Sequence, residues 1–156
     1  MDDAAILERM RDLGIELPPA TRPVAAYVPV VLAGPLAFVA GQVPLVDGAM
    51  MHPGHVGAEV SIEDAAHAAR RCALAALAAL RAELGSFDRL RRIAKLTVFV
   101  SSAPGFGDQP RVANGASEVL VEVLGAGGEH ARDAVGVGEL PLGAPVEVSV
   151  TAEIDA

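Results

Sequence analysis

Arg132, near the end of the sequence, is of a type that binds small anionic ligands. A guanidinium binds a carboxylate through two parallel hydrogen bonds. Ala134, Gly136 and Gly138 follow Arg132 at every second position, so in a strand they share its face and add no bulk there. The pattern predicts a ligand space beside Arg132.

Each candidate residue also has an explanation without chemistry. Arg132 can form a surface or interface salt bridge. Glu147 is a carboxylate on the polar face of an alternating strand, and such a carboxylate is usually only solvated. Two other polar side chains also have plain structural explanations: Tyr27 as a half-buried strand aromatic, and Asn114 as a polar residue near a helix start. The residue pattern alone leaves these alternatives open.

The elements that must position these residues follow from hydrophobic periodicity. Ser61 followed by Asp64 is typical of a helix start, whereas Gly85 and Gly125 are typical of helix ends. Helices are predicted over residues 2–13, 61–84 and 110–124, and strands over 24–32, 36–42, 90–101, 131–138 and 146–151. This order predicts an α+β fold, with one mixed sheet covered on one face by the two long helices and a short N-terminal helix in addition.

Length and composition favour one domain that associates with copies of itself. A chain of 156 residues, of which 52% are hydrophobic, can bury a sizeable core. The sheet face opposite the helices still needs cover, and subunit association is the economical way to provide it. We expect residues 1–16 to form a helical extension and residues 17–156 to form one domain.

Charge and cysteine content restrict partners and location. The net charge of −8, from 12 Lys and Arg against 20 Asp and Glu, disfavours binding to nucleic acid or to anionic membranes. The single Cys72 excludes an internal disulfide and is typical of a reducing cytoplasm. The N-terminus is acidic where a signal peptide is basic, and no apolar run approaches the roughly 20 residues of a membrane span. We therefore expect a soluble cytoplasmic protein.

Three further motifs have simpler explanations than chemistry. His52 and His55 have a spacing found in metal sites, but they lie in a Gly- and Pro-rich loop with no third ligand nearby. Cys72 falls on the apolar face of the second predicted helix and is expected in the core. The Gly-rich residues 125–128 follow a helix and lack the Lys-Ser/Thr pair of a phosphate loop, which favours a flexible connection. We expect neither a metal nor an organic cofactor.

Several motifs, in their order along the chain, resemble the YjgF/RidA family. They are Ala131-Arg132 followed after 14 residues by Glu147, with Leu140-Pro141 between; Ala40-Gly41-Gln42-Val43-Pro44; and the strand Lys95-Leu96-Thr97-Val98-Phe99-Val100. The resemblance covers about residues 18–154. It implies a chorismate-mutase-like fold, a homotrimer, and a ligand cleft between neighbouring subunits.

The resemblance also implies a role for each matched residue. Arg132 resembles the arginine that holds a substrate carboxylate, and Glu147 the glutamate that positions or activates the hydrolytic water. The full expectation is catalytic roles for Arg132, Glu147 and Tyr27, and substrate binding by Asn114, Gly41 and Ala134. RidA-type members hydrolyse reactive enamines and imines, such as those released from serine and threonine by pyridoxal-phosphate enzymes, to keto acids and ammonia. The resemblance thus implies a hydrolase acting on a small carboxylate-bearing substrate.

The chain departs from the family pattern at the pocket wall. Ala134 replaces the cysteine that is common two residues after the arginine, and Asp133 replaces the usual Ser or Thr. Tyr27 lies in Ala25-Ala26-Tyr27-Val28 where the family has Gly-Pro-Tyr-Ser. These departures indicate a sister branch.

The alternative function is a carboxylate-binding or regulatory trimer without catalysis. A ribonuclease or translation inhibitor is disfavoured by the negative charge. A chorismate mutase would rest on fold alone.

The spacing of Arg132 and Glu147 predicts a site that two subunits share. If the last two strands form a hairpin that turns near Leu142, residue 147 pairs with about residue 137, which is about five residues or 16 Å from Arg132 at about 3.3 Å per residue. One small substrate does not span that distance within a flat hairpin. We expect residues from two subunits in the complete site, and loss of ligand binding in a monomeric variant.

Overall fold

The structure, a computed structural model, describes residues 1–20 and 26–155. The described helices are α1 (Asp3–Asp12), α2 (Ile62–Leu84) and α3 (Gln109–Leu124). The strands are β1 (Val30–Ala33), β2 (Leu36–Gln42), β3 (Leu45–Val46), β4 (Ala49–Met50), β5 (Leu90–Ser101), β6 (Ala131–Val137) and β7 (Val146–Ile154). The α+β class and the order of the long elements predicted from the sequence are confirmed.

One mixed sheet carries the core. Within the described chain it has five strands in the order β1-β2-β7-β5-β6, and all neighbours are antiparallel except β5 and β6, which are parallel. Helices α2 and α3 pack against each other and against one face of this sheet. Alternate residues of β7 from Val146 to Ile154 are buried beneath them, while the residues between are only partly buried on the opposite, open face. The predicted layer arrangement is therefore confirmed.

The two long helices are defined by their ends and by one close contact. The hydroxyl of Ser61 accepts a hydrogen bond from the Asp64 backbone N–H at 3.1 Å, and Gly85 ends α2 in the left-handed conformation, as the sequence predicts. At Gly115 the backbones come so close that a Cβ atom would lie 1.9 Å from the carbonyl oxygen of Ala66. No helix in residues 1–20 or 26–155 is long and apolar enough to cross a membrane.

Helix α1 is attached to the core. Ile6 and Met10 are buried in the same hydrophobic cluster as the sheet. Asp3 accepts two hydrogen bonds from Arg81 at 2.9 Å and one from the Phe87 backbone N–H at 2.8 Å. These contacts fix α1 beside the end of α2. The division into an extension over residues 1–16 and a domain over 17–156 stays a prediction.

Two predictions for the N-terminal half are wrong, one of a strand start and one of a loop. The first strand begins at Val30 and not at residue 24; residues 26–29 are irregular, and 21–25 lie outside the described residues. Pro29 cannot donate a ladder hydrogen bond, which explains the late start. The predicted loop over 43–60 contains the small β3–β4 hairpin, whose turn residues Asp47 and Gly48 both have positive φ. An Asp-Gly turn of this kind favours a tight hairpin even between two-residue strands.

The last two strands do not form the hairpin considered from the sequence. Strand β6 pairs in parallel with β5, and β7 pairs antiparallel with the other edge of β5. Strand β7 presents an unbroken row of buried aliphatic residues to the helices and occupies a central position. Strand β6, rich in Ala and Gly, lies at the sheet edge. Burial of the more apolar strand decides which of the two is central.

Candidate active site in two separate clusters

Arg132 lies in β6 on the helix-covered side and is held by α3. Its NH1 donates to Asn114 Oδ1 at 2.9 Å and to Ser117 Oγ at 3.0 Å, and its NH2 lies 3.4 Å from the carbonyl oxygen of Pro110. No described residue accepts a hydrogen bond from its Nε. We call Arg132, Asn114, Ser117 and Pro110 the arginine cluster. It presents a fixed guanidinium at the edge of the sheet, where an anion or a second chain can approach.

Glu147 lies in β7 on the open face, at one wall of a pocket of about 390 Å³. The pocket is lined by Tyr27, Ala40, Gly41, Val43, Pro141, Leu142 and Glu147, and we call it the glutamate pocket. Burial raises the pKa of the Glu147 carboxyl above its ordinary value. Within the part of the chain that the structure describes, no cation pairs with it. A half-buried carboxylate with a raised pKa is suited to accept a proton from water.

Gly41 leaves the space that the Glu147 carboxylate occupies. The β2–β7 register passes from Val39 opposite Val150 to Gln42 opposite Val148, so β2 contains one extra residue at this point. A Cβ atom on Gly41 would lie 1.9 Å from Glu147 Oε1. Every other residue type would displace the carboxylate.

Tyr27 and Leu142 form the exposed rim of the glutamate pocket. Leu142 is 75% exposed and has a φ of 60°, a left-handed conformation that is unfavourable for leucine. Tyr27 also remains largely exposed. Leucine carries no sequence signal for this conformation, so the sequence did not predict Leu142 at the site. Two exposed apolar side chains at a pocket mouth are suited to contact a ligand or a second subunit.

The arginine cluster and the glutamate pocket do not meet within one chain. Arg132 is level with Leu96 of β5 on the helix side, whereas Glu147 is level with Phe99 on the open face. Two strand spacings and three residues separate the two Cα atoms by about 14 Å. The sequence predicted a similar separation from the wrong strand pairing. The predicted roles of these residues are untested by this geometry.

The space predicted along the Arg132 face is partly filled. A Cβ atom on Gly136 would lie 2.7 Å from Gln109 Nε2 and 3.0 Å from Ser102 Oγ, so the Gln109 side chain covers this position. Ala134 is partly buried and packs against the core. The predicted ligand space beside Arg132 is therefore wrong at Gly136. Substrate binding by Ala134 stays a prediction.

Sequence reasoning missed Ser117 as a partner of Arg132, although two signals pointed to it. Asn114 and Ser117 are three residues apart and share one face of α3. His130, which precedes Arg132 by two residues, extends the same side of the strand, and its Nε2 lies 3.0 Å from Ser117 Oγ. Helical and strand periodicity together could have brought these residues into one cluster.

The remaining motifs lie outside both clusters. His55 contacts Glu59 and Glu139, and no group of three or more His, Cys, Asp or Glu side chains suited to a metal occurs in residues 1–20 or 26–155. Cys72 is in the core as predicted, and burial, with the nearby charge of Glu147, raises the pKa of its thiol. Instead of a flexible connection, residues 125–128 form a 3₁₀ helix packed on α3.

Similar proteins agree with this architecture over nearly the whole chain. Residues 8–154 match the family described as YjgF/chorismate mutase-like, putative endoribonuclease. Protein TCP17 of Trypanosoma cruzi is 44% identical over 153 residues, which are 97% of this chain and 94% of that protein.

Two crystal structures extend the similarity to the fold. The Agrobacterium tumefaciens protein Atu1372, of unknown function, has a TM-score of 0.91 at 42% identity, covering 98% of this chain and 94% of that one. A putative endoribonuclease from Shewanella oneidensis has a TM-score of 0.91 at 27% identity, covering 96% and 99%. The chain therefore belongs to the YjgF/chorismate mutase-like family, in agreement with the resemblance of its sequence motifs.

Proposed function

We propose that the protein hydrolyses small carboxylate-bearing imines and enamines to keto acids and ammonia, at sites where the arginine cluster of one subunit faces the glutamate pocket of another. One observation carries the proposal: Glu147 has a raised pKa in a pocket of about 390 Å³ and has no cationic partner among the described residues. Such a carboxylate fits a proton acceptor better than a structural ion pair.

The proposed reaction needs one anchor and one base. Arg132 binds the substrate carboxylate through its forked N–H groups, which orients the imine carbon. Glu147 accepts a proton from water as the water oxygen attacks that carbon and the C=N electrons move to nitrogen. Glu147 passes this proton to nitrogen, which gives a neutral carbinolamine. The carbinolamine hydroxyl then gives its proton to Glu147, which passes it to the amine nitrogen; the C–N bond breaks as the C=O bond forms, and ammonia leaves. An enamine enters the same path after tautomerising to the imine, with a proton moving from nitrogen to its β-carbon. Tyr27, at the pocket rim, is proposed to orient the substrate or the water.

A composite site requires association, which we propose to be homotrimeric. The open face carries Val31 and Phe38 opposite each other on β1 and β2, and Val135 on β6, and all three remain exposed in the single chain. Lys95 and Asp133 form an ion pair on the same face. An apolar face with an internally paired charge is suited to contact a second copy of the chain.

Ribonuclease activity, named in the family description and for the Shewanella oneidensis protein, is a less suitable function for this chain. The net charge is −8. Of the basic residues, Arg70 pairs with Glu122, Arg91 with Asp155 and Lys95 with Asp133, so their charges are compensated locally. A phosphate backbone binds chiefly to uncompensated Lys and Arg.

The test generates imines in situ with an amino-acid oxidase and measures release of ammonia and keto acid. Arg132→Ala is expected to lower kcat/KM about 10- to 100-fold, as loss of a charge-assisted hydrogen-bonded anchor does. Glu147→Gln should lower kcat. Arg91→Ala, a variant of an exposed arginine outside both clusters, is the control and should behave as wild type. No acceleration by wild type, with keto acid still bound in an Arg132-dependent way, would support the non-catalytic alternative.

A further inference from the structure

We propose that Ser117 and His130 form a positioning pair that orients the Arg132 guanidinium for carboxylate binding. This assignment rests on the proposed role of Arg132 as carboxylate anchor. It adds two residues that the sequence comparison did not assign to the site. Their contribution is to substrate affinity, through Arg132, and not to the chemical step.

The hydrogen bonds between these residues have a defined direction. His130 Nδ1 lies 2.5 Å from the carbonyl oxygen of Gly128, which can only accept, so Nδ1 is the donor of this bond. On this contact we assign the Nδ1–H tautomer, in which Nε2 accepts a hydrogen bond from the Ser117 hydroxyl at 3.0 Å. The lone pairs of Ser117 Oγ are left to accept from Arg132 NH1, also at 3.0 Å. We call this chain of hydrogen bonds, from Gly128 through His130 to Ser117, the relay. It turns the acceptor side of Ser117 toward the guanidinium of Arg132.

The Gly-rich segment at 125–128 places the carbonyl at the start of this relay. A Cβ atom on Gly128 would lie 2.2 Å from the carbonyl oxygen of Leu120, so only glycine allows the 3₁₀ helix to pack this closely on α3. Gly128 is buried, which shields its bond to His130 from water. The segment, which the sequence did not connect with the site, therefore acts as the support of His130.

The relay fixes one edge of the guanidinium and leaves another for a ligand. NH1 is occupied by Asn114 and Ser117, which define the plane of the group. The Nε edge makes no hydrogen bond with a described residue and stays available to a carboxylate. Arg132 would sample more rotamers without Ser117, and its fork would match the carboxylate less often. Affinity should fall while the reaction of the bound substrate is preserved.

The experiment measures binding of 2-ketobutyrate by calorimetry, and kcat and KM for imine hydrolysis. Ser117→Ala should weaken binding and raise KM about 10-fold with kcat changed less than about twofold. His130→Leu should have an effect of about 3- to 10-fold, and His130→Gln, whose amide oxygen can accept near the Nε2 position, should restore most of the affinity. Glu118→Ala, on the exposed side of the same helix, is the control.

A double-mutant cycle separates positioning from a general structural effect. In an Arg132→Ala background, Ser117→Ala should cause no further loss of affinity, because its effect passes through Arg132. Full additivity would overturn the proposal, as would wild-type affinity of both Ser117→Ala and His130→Leu. Loss of kcat in Ser117→Ala with KM unchanged would also overturn it and would indicate a direct chemical role for the hydroxyl. Failure of the proposed function is distinct: ammonia release is then absent while Arg132-dependent binding can still be measured.

Discussion

Gly41 and Glu147 are coupled because no side chain fits between them. Gly41→Ala would place a methyl group 1.9 Å from Glu147 Oε1 and 2.8 Å from its Cδ, so the carboxylate must rotate away. We expect the variant to lose imine hydrolysis to the same extent as Glu147→Gln, with little change in thermal stability, because the displaced group is a side-chain end beside a pocket. Parallel activity assays and thermal melts test this.

Gly107→Ala is the matched control for that substitution. A Cβ atom on Gly107 would have no neighbour within 4 Å, and the residue does not require a positive φ. It should retain full activity. A Gly41→Ala enzyme with wild-type activity would show that the position of the Glu147 carboxylate does not matter.

The raised pKa of Glu147 predicts a pH-dependent stability. Burial disfavours the ionised carboxylate, so its folded-state pKa lies above the unfolded-state value. At low pH the carboxyl is protonated in both the folded and the unfolded protein, so burial of a charge costs no stability. The loss of stability develops as the pH rises from the unfolded-state pKa through the folded-state pKa. Glu147→Gln should therefore raise Tm at about pH 7 and have a smaller effect at about pH 4. Glu153→Gln, on the same strand face, is the control for removal of one negative charge.

At the residue scale, the sequence pointed to particular side chains, and their functional roles stay predictions. How the structure holds those side chains was mostly not predicted. A lone glycine inside a strand also indicates a bulge or a close approach, and Gly41 fulfils both. The cover of Gly136 by Gln109 was not predictable, because it depends on how the loop before α3 returns over β6.

Gly115 decides how closely the two long helices approach. Intrinsic propensity predicts that Gly115→Ala, within α3, stabilises the protein by about 1 kcal/mol. The contact predicts the opposite, because the new Cβ would lie 1.9 Å from the Ala66 carbonyl oxygen, a backbone atom that cannot rotate away. We expect a net destabilisation of about 1–3 kcal/mol in denaturant titration. A more stable variant would contradict this account of the helix contact, and Glu118→Ala serves as the exposed reference on α3.

At the element scale, periodicity predicted helix and strand identity but not strand neighbours. Strand β5 was predicted at its observed bounds, and α2 was predicted from its capping Ser61 to its terminal Gly85. The pairing of β6 and β7 was wrong, since adjacency in sequence favours a hairpin and carries no information on the third strand that separates them. The competition for a central position is settled by burial across the whole sheet.

At the scale of the whole molecule, the open face of the sheet is expected to be the subunit interface. Phe38 is 45% exposed there and lies opposite Val31 in the β1–β2 ladder. Phe38→Asp should give a monomer in size-exclusion chromatography with light scattering, and it should lose keto-acid binding because the site loses half its residues. Leu13→Asp is a matched control, since Leu13 is 48% exposed at the end of α1. A monomeric Phe38→Asp protein with full binding would contradict a shared site.

The most direct test of the shared site mixes two impaired variants. Arg132→Ala, with kcat/KM lowered about 10- to 100-fold, and Glu147→Gln, with kcat lowered, are each expected to retain little activity alone, and both are then unfolded and refolded together. In an equal mixture that assembles at random, a subunit with intact Arg132 meets a neighbour with intact Glu147 at about one interface in four. About one quarter of wild-type activity should therefore return. Activity that stays at the level of the separate variants would show that both residues must come from the same chain, and it would contradict the account.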